Sequence, residues 1–336
     1  MHAKRLRWGI LGAARIALRA VIPAIQQSTN GVVTAIASRD APTAQAAAQN
    51  LGIPHAFDSY AALLDSPNVD AVYIPLPNHL HRTWTIRAAE CGKHILCEKP
   101  FALNVHETDE MIAAAQQSRV VLMEAFMYQF HPQFARVRQL VADGAIGAVR
   151  TIRSAFCFTV ARPDDIRLKR EMGGGALMDV GCYCVNMPRL LIGAEPTQVR
   201  AHATPHANRQ VDEAFFGILD FPGNVQAVFD CNLRADYTEW LQIQGTAGRL
   251  EVPRPIKPMD KPAEIILRRG ERPDALATLT SITIPPANHY QLMAEHFADA
   301  VLNGAPLAYP PAAGRANMRV LDALVQAAAT GCAVTL

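Results

Sequence analysis

The chain has 336 residues, of which 50% are apolar and 18% are charged. This length is enough for two domains, and this composition excludes a largely disordered chain. The 32 basic and 30 acidic residues give a formal net charge of +2, which excludes the strongly basic surface typical of nucleic-acid or membrane binding. Residues Met1–Arg5 run straight into a strand-like stretch without an apolar signal core, and no apolar run approaches the ~20 residues that span a bilayer. We therefore expect a cytoplasmic protein that binds neither nucleic acid nor a membrane.

Short β-branched segments alternate with helical patterns up to about residue 125. The predicted strands are Leu6–Leu11, Val32–Ser38, Ala71–Ile74, His94–Cys97 and Val120–Glu124. Asn104 and Glu107 have the spacing of a capping box for a helix that ends at Gln117. Strands that alternate with helices indicate a mostly parallel, doubly wound sheet of the Rossmann type. We assign this α/β domain to residues 1–125.

Strands follow one another with few intervening helices after residue 125. Helices are predicted at Pro132–Ala142, after the glycine run 173–175, near Asn288–Leu302 and at Ala312–Thr330, the last with a buried stripe at Met318, Leu321 and Val325. The predicted strands are Thr151–Val160, Gln198–Thr204, Ala214–Phe221, Val225–Asn232, Trp240–Gly245 and Ile265–Arg269. This order predicts a C-terminal α+β domain, residues 126–336, with a large open, mostly antiparallel sheet. The exposed face of such a sheet favours a homo-oligomer, a dimer or a tetramer, and the last helix could pack back on the first domain.

A small-residue turn follows the first predicted strand. It reads as GxGxxG with Ala at the second and third glycine positions, in the residues Gly12, Ala13, Ala14, Arg15, Ile16 and Ala17. The first glycine permits the tight turn, and the helix N-terminus that follows suits a pyrophosphate. This setting predicts a dinucleotide site, with a turn that merely allows close packing as the alternative.

The second predicted strand ends in Ser38, Arg39 and Asp40. An acidic residue at this strand end would bind the ribose 2′-hydroxyl of NAD. A hydroxyl and a guanidinium come first here, and this pair suits a 2′-phosphate. Asp40 could still bind a ribose hydroxyl, or begin the next helix as its N-cap. We expect NADP as the cofactor, with NAD possible.

Further candidate residues follow the third and fourth Rossmann strands, at the sheet edge where ligands bind. We assign cofactor contacts there to Leu76, Asn78, His81, Glu98 and Lys99, with His79 as a weaker candidate. His81 equally suits the first turn of a helix. Arg167, in the loop before the glycine run, is assigned to the cofactor as well, and a solvated loop charge is the alternative.

Three motifs together carry a resemblance to a known family. They are the Glu98-Lys99-Pro100 tripeptide, the run Gly173-Gly174-Gly175-Ala176-Leu177-Met178-Asp179-Val180-Gly181 and the segment Glu124–Tyr128. With them the chain resembles the Gfo/Idh/MocA oxidoreductase family over nearly its whole length. Tyr183, where many members have His, makes it most similar to the branch of dimeric dihydrodiol dehydrogenase, NADP-dependent D-xylose dehydrogenase and glucose–fructose oxidoreductase. The resemblance implies a cis bond before Pro100 and a Lys/Tyr pair at the nicotinamide.

Oxidation of a carbinol needs a base for the hydroxyl proton while the hydride leaves. The pKa of a free tyrosine is about 10, and a nearby ammonium lowers it. We therefore predict Tyr183 as acid/base, Lys99 as its electrostatic partner and Asp179, four residues earlier on a helix, as the orienting carboxylate. Taken singly, each has an ordinary structural role as the alternative: a packing tyrosine, a surface lysine and a charge at a helix end.

The leading hypothesis is an NADP-dependent sugar or cyclic-polyol dehydrogenase, with D-xylose or a similar aldopyranose oxidised at C1 to the lactone. Oxidation of a trans-dihydrodiol or reduction of a sugar ketone is the alternative within the same class. A non-catalytic NADP-sensing regulator is the alternative of another class, and the presence of Lys99, Asp179 and Tyr183 argues against it. The seven cysteines form no CxxC pair or zinc-like spacing, so we expect reduced thiols and no metal.

Overall fold

The computed structural model describes residues 4–258, 261–270 and 278–336. Met1–Ala3, on which the expectation about a signal peptide partly rests, lie outside the described residues. The chain forms two compact units, Met1–Met127 with Asn288–Met318, and Tyr128–Ala287 with Arg319–Leu336. Residues 288–318 thus belong to the first unit, whereas the predicted boundary assigns them to the second domain. That boundary stays a prediction about which parts fold independently.

The α-helices carry the labels α1 to α9 in chain order. They are α1 Ile22–Gln27, α2 Ala41–Leu51, α3 Tyr60–Leu64, α4 His81–Glu90, α5 Val105–Gln117, α6 Pro132–Ala142, α7 Cys182–Ile192, α8 His289–Asn303 and α9 Pro311–Thr330. Two of them are preceded by a π-helical turn, Ala17–Val21 before α1 and Leu177–Gly181 before α7. The Asn104 cap is confirmed, because Asn104 Oδ1 accepts from Glu107 N at 2.9 Å, while Glu107 Oε2 accepts from Leu103 N, one residue before the N-cap, at 3.0 Å.

The first unit contains a parallel sheet of six strands among the described residues. They are β1 Leu6–Leu11, β2 Gly31–Ala37, β3 His55–Phe57, β4 Ala71–Ile74, β5 His94–Cys97 and β6 Leu122–Glu124. Their order is β3-β2-β1-β4-β5-β6, which confirms the doubly wound fold. The sequence missed β3, because three largely exposed residues carry no readable alternation.

The first unit places ligand-binding loops where its strand order reverses. β1 pairs with β2 on one side and with β4 on the other, so the loops after β1 and β4 diverge to opposite faces and leave a crevice. Beneath them the core is closed by α8, whose Phe297 ring packs 5.1 Å from that of Trp8. Both side chains are fully buried. The sheet below the crevice at the carboxyl ends of β1 and β4 is therefore covered by a packed, buried core.

The second unit contains a mixed sheet of nine strands within the described ranges. They are β7 Val149–Cys157, β8 Gln198–Pro205, β9 Asp212–Phe221, β10 Val225–Asn232, β11 Thr238–Gly245, β12 Gly248–Val252, β13 Ala263–Arg269, β14 Thr278–Ile284 and β15 Val334–Thr335. The order is β14-β13-β12-β11-β7-β10-β9-β8-β15, with β10 and β7 parallel and the other pairs antiparallel. The mostly antiparallel sheet is thus confirmed; β12, β14 and β15 were missed.

One face of this sheet is buried and the other is open. Along β10, Ala227, Phe229 and Cys231 are buried, whereas Val228 between them is 39% exposed. Phe216, on the neighbouring β9, is 48% exposed. This period-2 alternation is typical of a sheet with one solvated face.

The buried stripe predicted for α9 is partly wrong. Met318 and Leu321 are buried, but Val325 is 52% exposed and Leu324 is buried instead. The buried stripe continues from Leu321 to Leu324 and Ala327 at a spacing of three residues, and Val325 lies outside it. No described helix of the chain has the length and hydropathy of a membrane span.

Candidate active site

The glycine turn after β1 is shaped for close approach of a ligand. Gly12 is buried and has a φ of 115°, which a residue with a Cβ rarely adopts. A Cβ at this position would lie 3.0 Å from Leu76 Cδ2. The residues that follow, Ala13 to Ile16, are partly or fully exposed, and the N-cap residue of the helix that starts there makes no side-chain cap hydrogen bond within the described part of the chain. Because first-turn N–H groups lack intrahelical partners, this helix start fits the pyrophosphate of a dinucleotide.

The end of β2 places a cation beside this turn. Asp40 is the N-cap of α2, where its Oδ2 accepts from Thr43 N at 2.9 Å and from the Thr43 hydroxyl. Arg39 is exposed, Ser38 is half-buried, and the Arg39 guanidinium lies close enough to the Tyr60 hydroxyl to interact with it electrostatically. Burial raises the pKa of Tyr60, and Arg39 opposes that rise. Of the two roles left open for Asp40, the structure thus shows the helix cap.

Tyr60 is a site residue that the sequence did not reveal. It opens α3 directly after Ser59, whose hydroxyl accepts from Ala62 N at 3.1 Å, so its local pattern is that of an ordinary helix start. Its hydroxyl oxygen, however, lies 3.7 Å from the position of a Cβ on Gly12. Only the tertiary fold brings this tyrosine to the glycine turn and to Arg39.

His81 joins the loops that follow β4 and β5. Its ring is fully buried, with Nε2 2.8 Å from Leu76 O and Nδ1 2.9 Å from Pro100 O. Burial lowers the pKa of His81 to about 4, and a neutral imidazole has one N–H, which it donates to one of the two carbonyls. The structure therefore shows a positioning role for the His81 ring, and its contact with a cofactor stays a prediction.

The loop after β5 holds Glu98 and Lys99 by different means. Glu98 Oε1 accepts from the hydroxyl of the buried Tyr73 at 2.6 Å, and Oε2 accepts from Lys99 N at 3.2 Å. The Lys99 side chain is half-buried, and the bond between Lys99 and Pro100 is cis, which confirms the expectation from the family resemblance. Asn78, also half-buried, opens the 3₁₀ turn that precedes α4.

In the second unit the glycine run is required by steric crowding. Gly173 has a φ of 74° and Gly175 a φ of 117°. A Cβ on Gly174 would clash with Arg167 O, and one on Gly175 with the Asp212 carboxylate. The run therefore packs the start of the π-helical turn against the loop of Arg167 and against the first residue of β9.

Asp179 lies in that π-helical turn and is paired with Arg167. Arg167 Nε donates to Asp179 Oδ2 at 2.7 Å, while its Nη1 lies 3.1 Å from Asp165 Oδ1. The charge of Asp179 raises the pKa of Arg167 above its already high usual value. Arg167 is thus an anchor for Asp179 and not a solvated loop charge; its contact with a cofactor stays a prediction.

Tyr183 lies four residues after Asp179, in the first turn of α7. Its side chain is 4% exposed, and its ring meets those of Tyr128 and Phe156 edge to face, at centroid distances of 6.0 and 5.7 Å. Tyr128 is itself fixed, because its hydroxyl donates to Asn186 Oδ1 at 2.6 Å. The ring of Tyr183 therefore stands in an aromatic wall of the second unit.

Lys99 lies in the first unit, whereas Asp179 and Tyr183 lie in the second. Within the first unit, Gly12 lies beside Leu76, and the Leu76 carbonyl contacts His81. The contact of these residues with a cofactor stays a prediction. The pairing of Lys99 with Tyr183 stays a prediction.

Comparison with known proteins agrees with this arrangement. Residues 6–126 match the "Oxidoreductase family, NAD-binding Rossmann fold" and residues 134–251 match the "GFO/IDH/MocA C-terminal domain". A D-xylose 1-dehydrogenase (NADP(+)) of Haloferax volcanii is 39% identical, over 98% of this chain and 100% of that protein. A trans-1,2-dihydrobenzene-1,2-diol dehydrogenase of Xenopus tropicalis is 34% identical, over 89% and 90%.

Solved structures give the same answer. A 3-ketoreductase from Actinomadura kijaniata, crystallised with NADP and TDP-benzene, superposes with a TM-score of 0.91 at 30% identity, over 96% of this chain and 98% of that one. Relatives and solved structures that are named as dehydrogenases or reductases thus match almost the whole chain. The chain belongs to the Gfo/Idh/MocA family of oxidoreductases.

Proposed function

We propose that this protein is an NADP-dependent oxidoreductase that transfers a hydride between the nicotinamide and a sugar or cyclic polyol. The preferred substrate in this proposal is an aldopyranose such as D-xylose, oxidised at C1 to the lactone. The observation that carries it is the ion-paired Asp179 four residues before the enclosed Tyr183, on a helix of a chain that also has a dinucleotide crevice.

The preference for NADP is supported by the end of β2. The Asp40 carboxylate is used as a helix cap, so it does not present both oxygens to a ribose diol. The Arg39 guanidinium stands beside Tyr60 next to the glycine turn, where it can bind a 2′-phosphate through charge-assisted hydrogen bonds. The Haloferax relative is named for NADP as well.

The chemistry assigned to the chain is general acid/base catalysis. When bound, NADP would supply the hydride acceptor or donor. Tyr183, as the phenolate, takes the hydroxyl proton of the substrate on its phenolic oxygen, and as the phenol it returns the proton in the reverse direction. Burial among aromatic rings disfavours an anionic oxygen, so this role needs a cation, which we assign to Lys99. Asp179, held by Arg167 at 2.7 Å, orients the substrate hydroxyls.

Two other substrates have a specific observation in their favour. The Xenopus relative is named for a trans-dihydrodiol, and the Actinomadura structure is a ketoreductase with a nucleotide-linked ligand. Both would use the same acid/base pair, so they change the substrate of the proposal and not its mechanism.

We also propose that the protein forms a homo-oligomer through the open face of the nine-stranded sheet. Phe216 and Val228 lie in adjacent strands of that face and are 48% and 39% exposed. Exposed apolar side chains on a sheet face are typical of a protein interface. Sedimentation of the wild-type protein and of Phe216→Glu would test this, and a monomeric wild type would contradict it.

The function is tested by mixing the purified protein with NADP⁺ or NAD⁺ and a panel of aldopyranoses, inositols and a trans-dihydrodiol, and following nicotinamide reduction. Turnover of an aldopyranose with NADP⁺ is the expected result. Turnover confined to the dihydrodiol would overturn the substrate and keep the reaction class. Tight NADP binding without any turnover would favour the non-catalytic sensor.

A further inference from the structure

We propose that Asp212 is a positioning residue that fixes the helix carrying Asp179 and Tyr183. Asp212 is the first residue of β9 and lies outside the motifs that mark the family in this sequence. Its Oδ2 accepts from Leu177 N at 2.7 Å, and the backbone N–H of Ala176 lies close enough to its carboxylate to favour the ionised form. Those two amides open the helix that carries the candidate catalytic residues.

The carboxylate is held in one place by what surrounds it. Its Oδ1 faces Gly175, where a Cβ would clash with it, so the glycine is the residue that allows the approach. Gly175 N in turn donates to Arg167 O at 2.9 Å. Asp212 therefore holds the first turn of this helix from the side of the sheet. The Arg167 loop holds the same turn through Gly175 and Asp179.

A rigid first turn fixes the direction of Asp179. Asp179 N donates to Gly175 O at 3.0 Å. Asp212 packs against this same glycine, so it is linked to the Asp179 backbone through Gly175. The Asp179 side chain is then tied to Arg167, the residue whose carbonyl holds Gly175. Loss of the carboxylate would release the helix start from β9 and leave Asp179 and Tyr183 to move with it.

An ionised carboxylate is energetically unfavourable at this buried position, which indicates that the charge of Asp212 has a structural role. Burial raises the pKa of Asp212 to about 6, and the backbone N–H groups of Leu177 and Ala176 oppose the rise. From β10, the Cys231 thiol is the titratable side chain that interacts with it. A carboxylate kept ionised in such a site stabilises the positive end of a helix.

The test compares Asp212→Ala and Asp212→Asn with Glu213→Ala. Glu213 is the matched control, because it is the next residue of the same strand, points to the opposite face and pairs with Arg234 at 3.2 Å. We expect Asp212→Ala to lower kcat about tenfold or more while the Kd for NADP⁺ is unchanged. Asp212→Asn keeps one acceptor oxygen, so we expect a loss of about threefold. Glu213→Ala should stay close to the wild type.

The pH profile separates positioning from simple loss of structure. Wild-type kcat should fall as the pH drops through about 6, because a neutral carboxyl accepts more weakly from the amides at the helix start, even though burial makes the neutral form the more stable one for the fold as a whole. Asp212→Asn should lack this step in its profile. If Asp212→Ala does not fold, this profile decides alone: the same acid step in Asp212→Asn and wild type would overturn the proposal.

The inference rests on the proposed function for its kinetic readout, so a second readout is independent of activity. Hydrogen exchange at the amides of residues 176–181 should accelerate in Asp212→Ala and not in Glu213→Ala. Faster exchange with unchanged kcat would overturn the positioning role even if Tyr183→Phe is inactive. An active Tyr183→Phe variant would instead refute the assignment of Tyr183 as acid/base. In that case, unchanged hydrogen exchange in Asp212→Ala would still refute the role of Asp212 at the helix start.

Discussion

The two units begin a helix in the same way and use it differently. In the first, Gly12 with a φ of 115° precedes the π-helical turn Ala17–Val21 and α1. In the second, Gly175 with a φ of 117° precedes the π-helical turn Leu177–Gly181 and α7. Neither N-cap residue bonds its own helix, but in the second the Leu177 amide donates to the Asp212 carboxylate from β9, and within the described residues the first helix start has no such partner.

The difference shows that the same local structure, a helix start preceded by a glycine of positive φ, serves two purposes. A helix N-terminus attracts an anion, and an uncapped one beside a cofactor crevice is open to an external phosphate. A helix whose N-terminus is filled by the chain's own carboxylate is instead fixed to the sheet. The first arrangement suits binding, and the second suits the fixed placement of acid/base groups such as Asp179 and Tyr183.

The largest expected effect comes from a substitution that removes only the acid/base group of the second unit. Tyr183→Phe keeps the ring in its aromatic wall and removes the oxygen, so we expect turnover to fall roughly a hundredfold or more. The Kd for NADP⁺, measured by calorimetry, should change little because the nucleotide crevice belongs to the first unit. Turnover near that of the wild type would refute the role of Tyr183.

The next effect breaks binding in the first unit. Arg39→Ala should weaken NADP⁺ roughly thirtyfold and NAD⁺ hardly at all, because a charge-assisted bond to a phosphate is worth about 1.5–3 kcal/mol. Tyr60→Phe, which removes only the hydroxyl that contacts Arg39, should act in the same direction by a few-fold. Equal losses for the two cofactors would remove Arg39 from the 2′-phosphate site.

The pH dependence of stability should have opposite signs in the two units. The pKa of His81 is lowered from 6.5 to about 4, so the native state binds fewer protons and its contribution is lost as the pH falls from 6.5 to about 4. The pKa of Asp212 is raised from 3.8 to about 6, so its contribution is lost as the pH rises through about 6.

Urea unfolding at about pH 4.5 and about pH 7 checks these signs. His81→Gln should destabilise more at the higher pH, and Asp212→Asn more at the lower pH. Each difference should be about 2 kcal/mol, since one pKa unit corresponds to about 1.4 kcal/mol. The same sign for both variants would contradict the assignment of the two groups.

The sequence could predict features that depend on residues close in the chain, but not features that depend on tertiary contacts. The Rossmann strands, the helix cap at Asn104 and the helix Pro132–Ala142 were predictable, because each depends on residues close in the chain. Tyr60 and Asp212 were not, since each becomes a site residue only through a partner far along the chain. His81 was placed at the right loop, but its enclosure between two carbonyls comes from the fold.

The smallest expected effects test the comparison between the two helix starts, through one glycine-to-alanine substitution in each unit. Gly12→Ala places a Cβ against Leu76, and Gly175→Ala places one against Asp212; each also adopts a φ that is strained for alanine, at a cost of about 1–3 kcal/mol. We expect Gly12→Ala to raise the Kd for NADP⁺ about tenfold with kcat at saturation nearly unchanged, and Gly175→Ala to lower kcat about tenfold with the Kd unchanged. Calorimetry and saturation kinetics on both variants measure the two quantities. If both variants lose cofactor affinity equally, the second helix start also serves the nucleotide, and the division of the two devices between binding and chemistry fails.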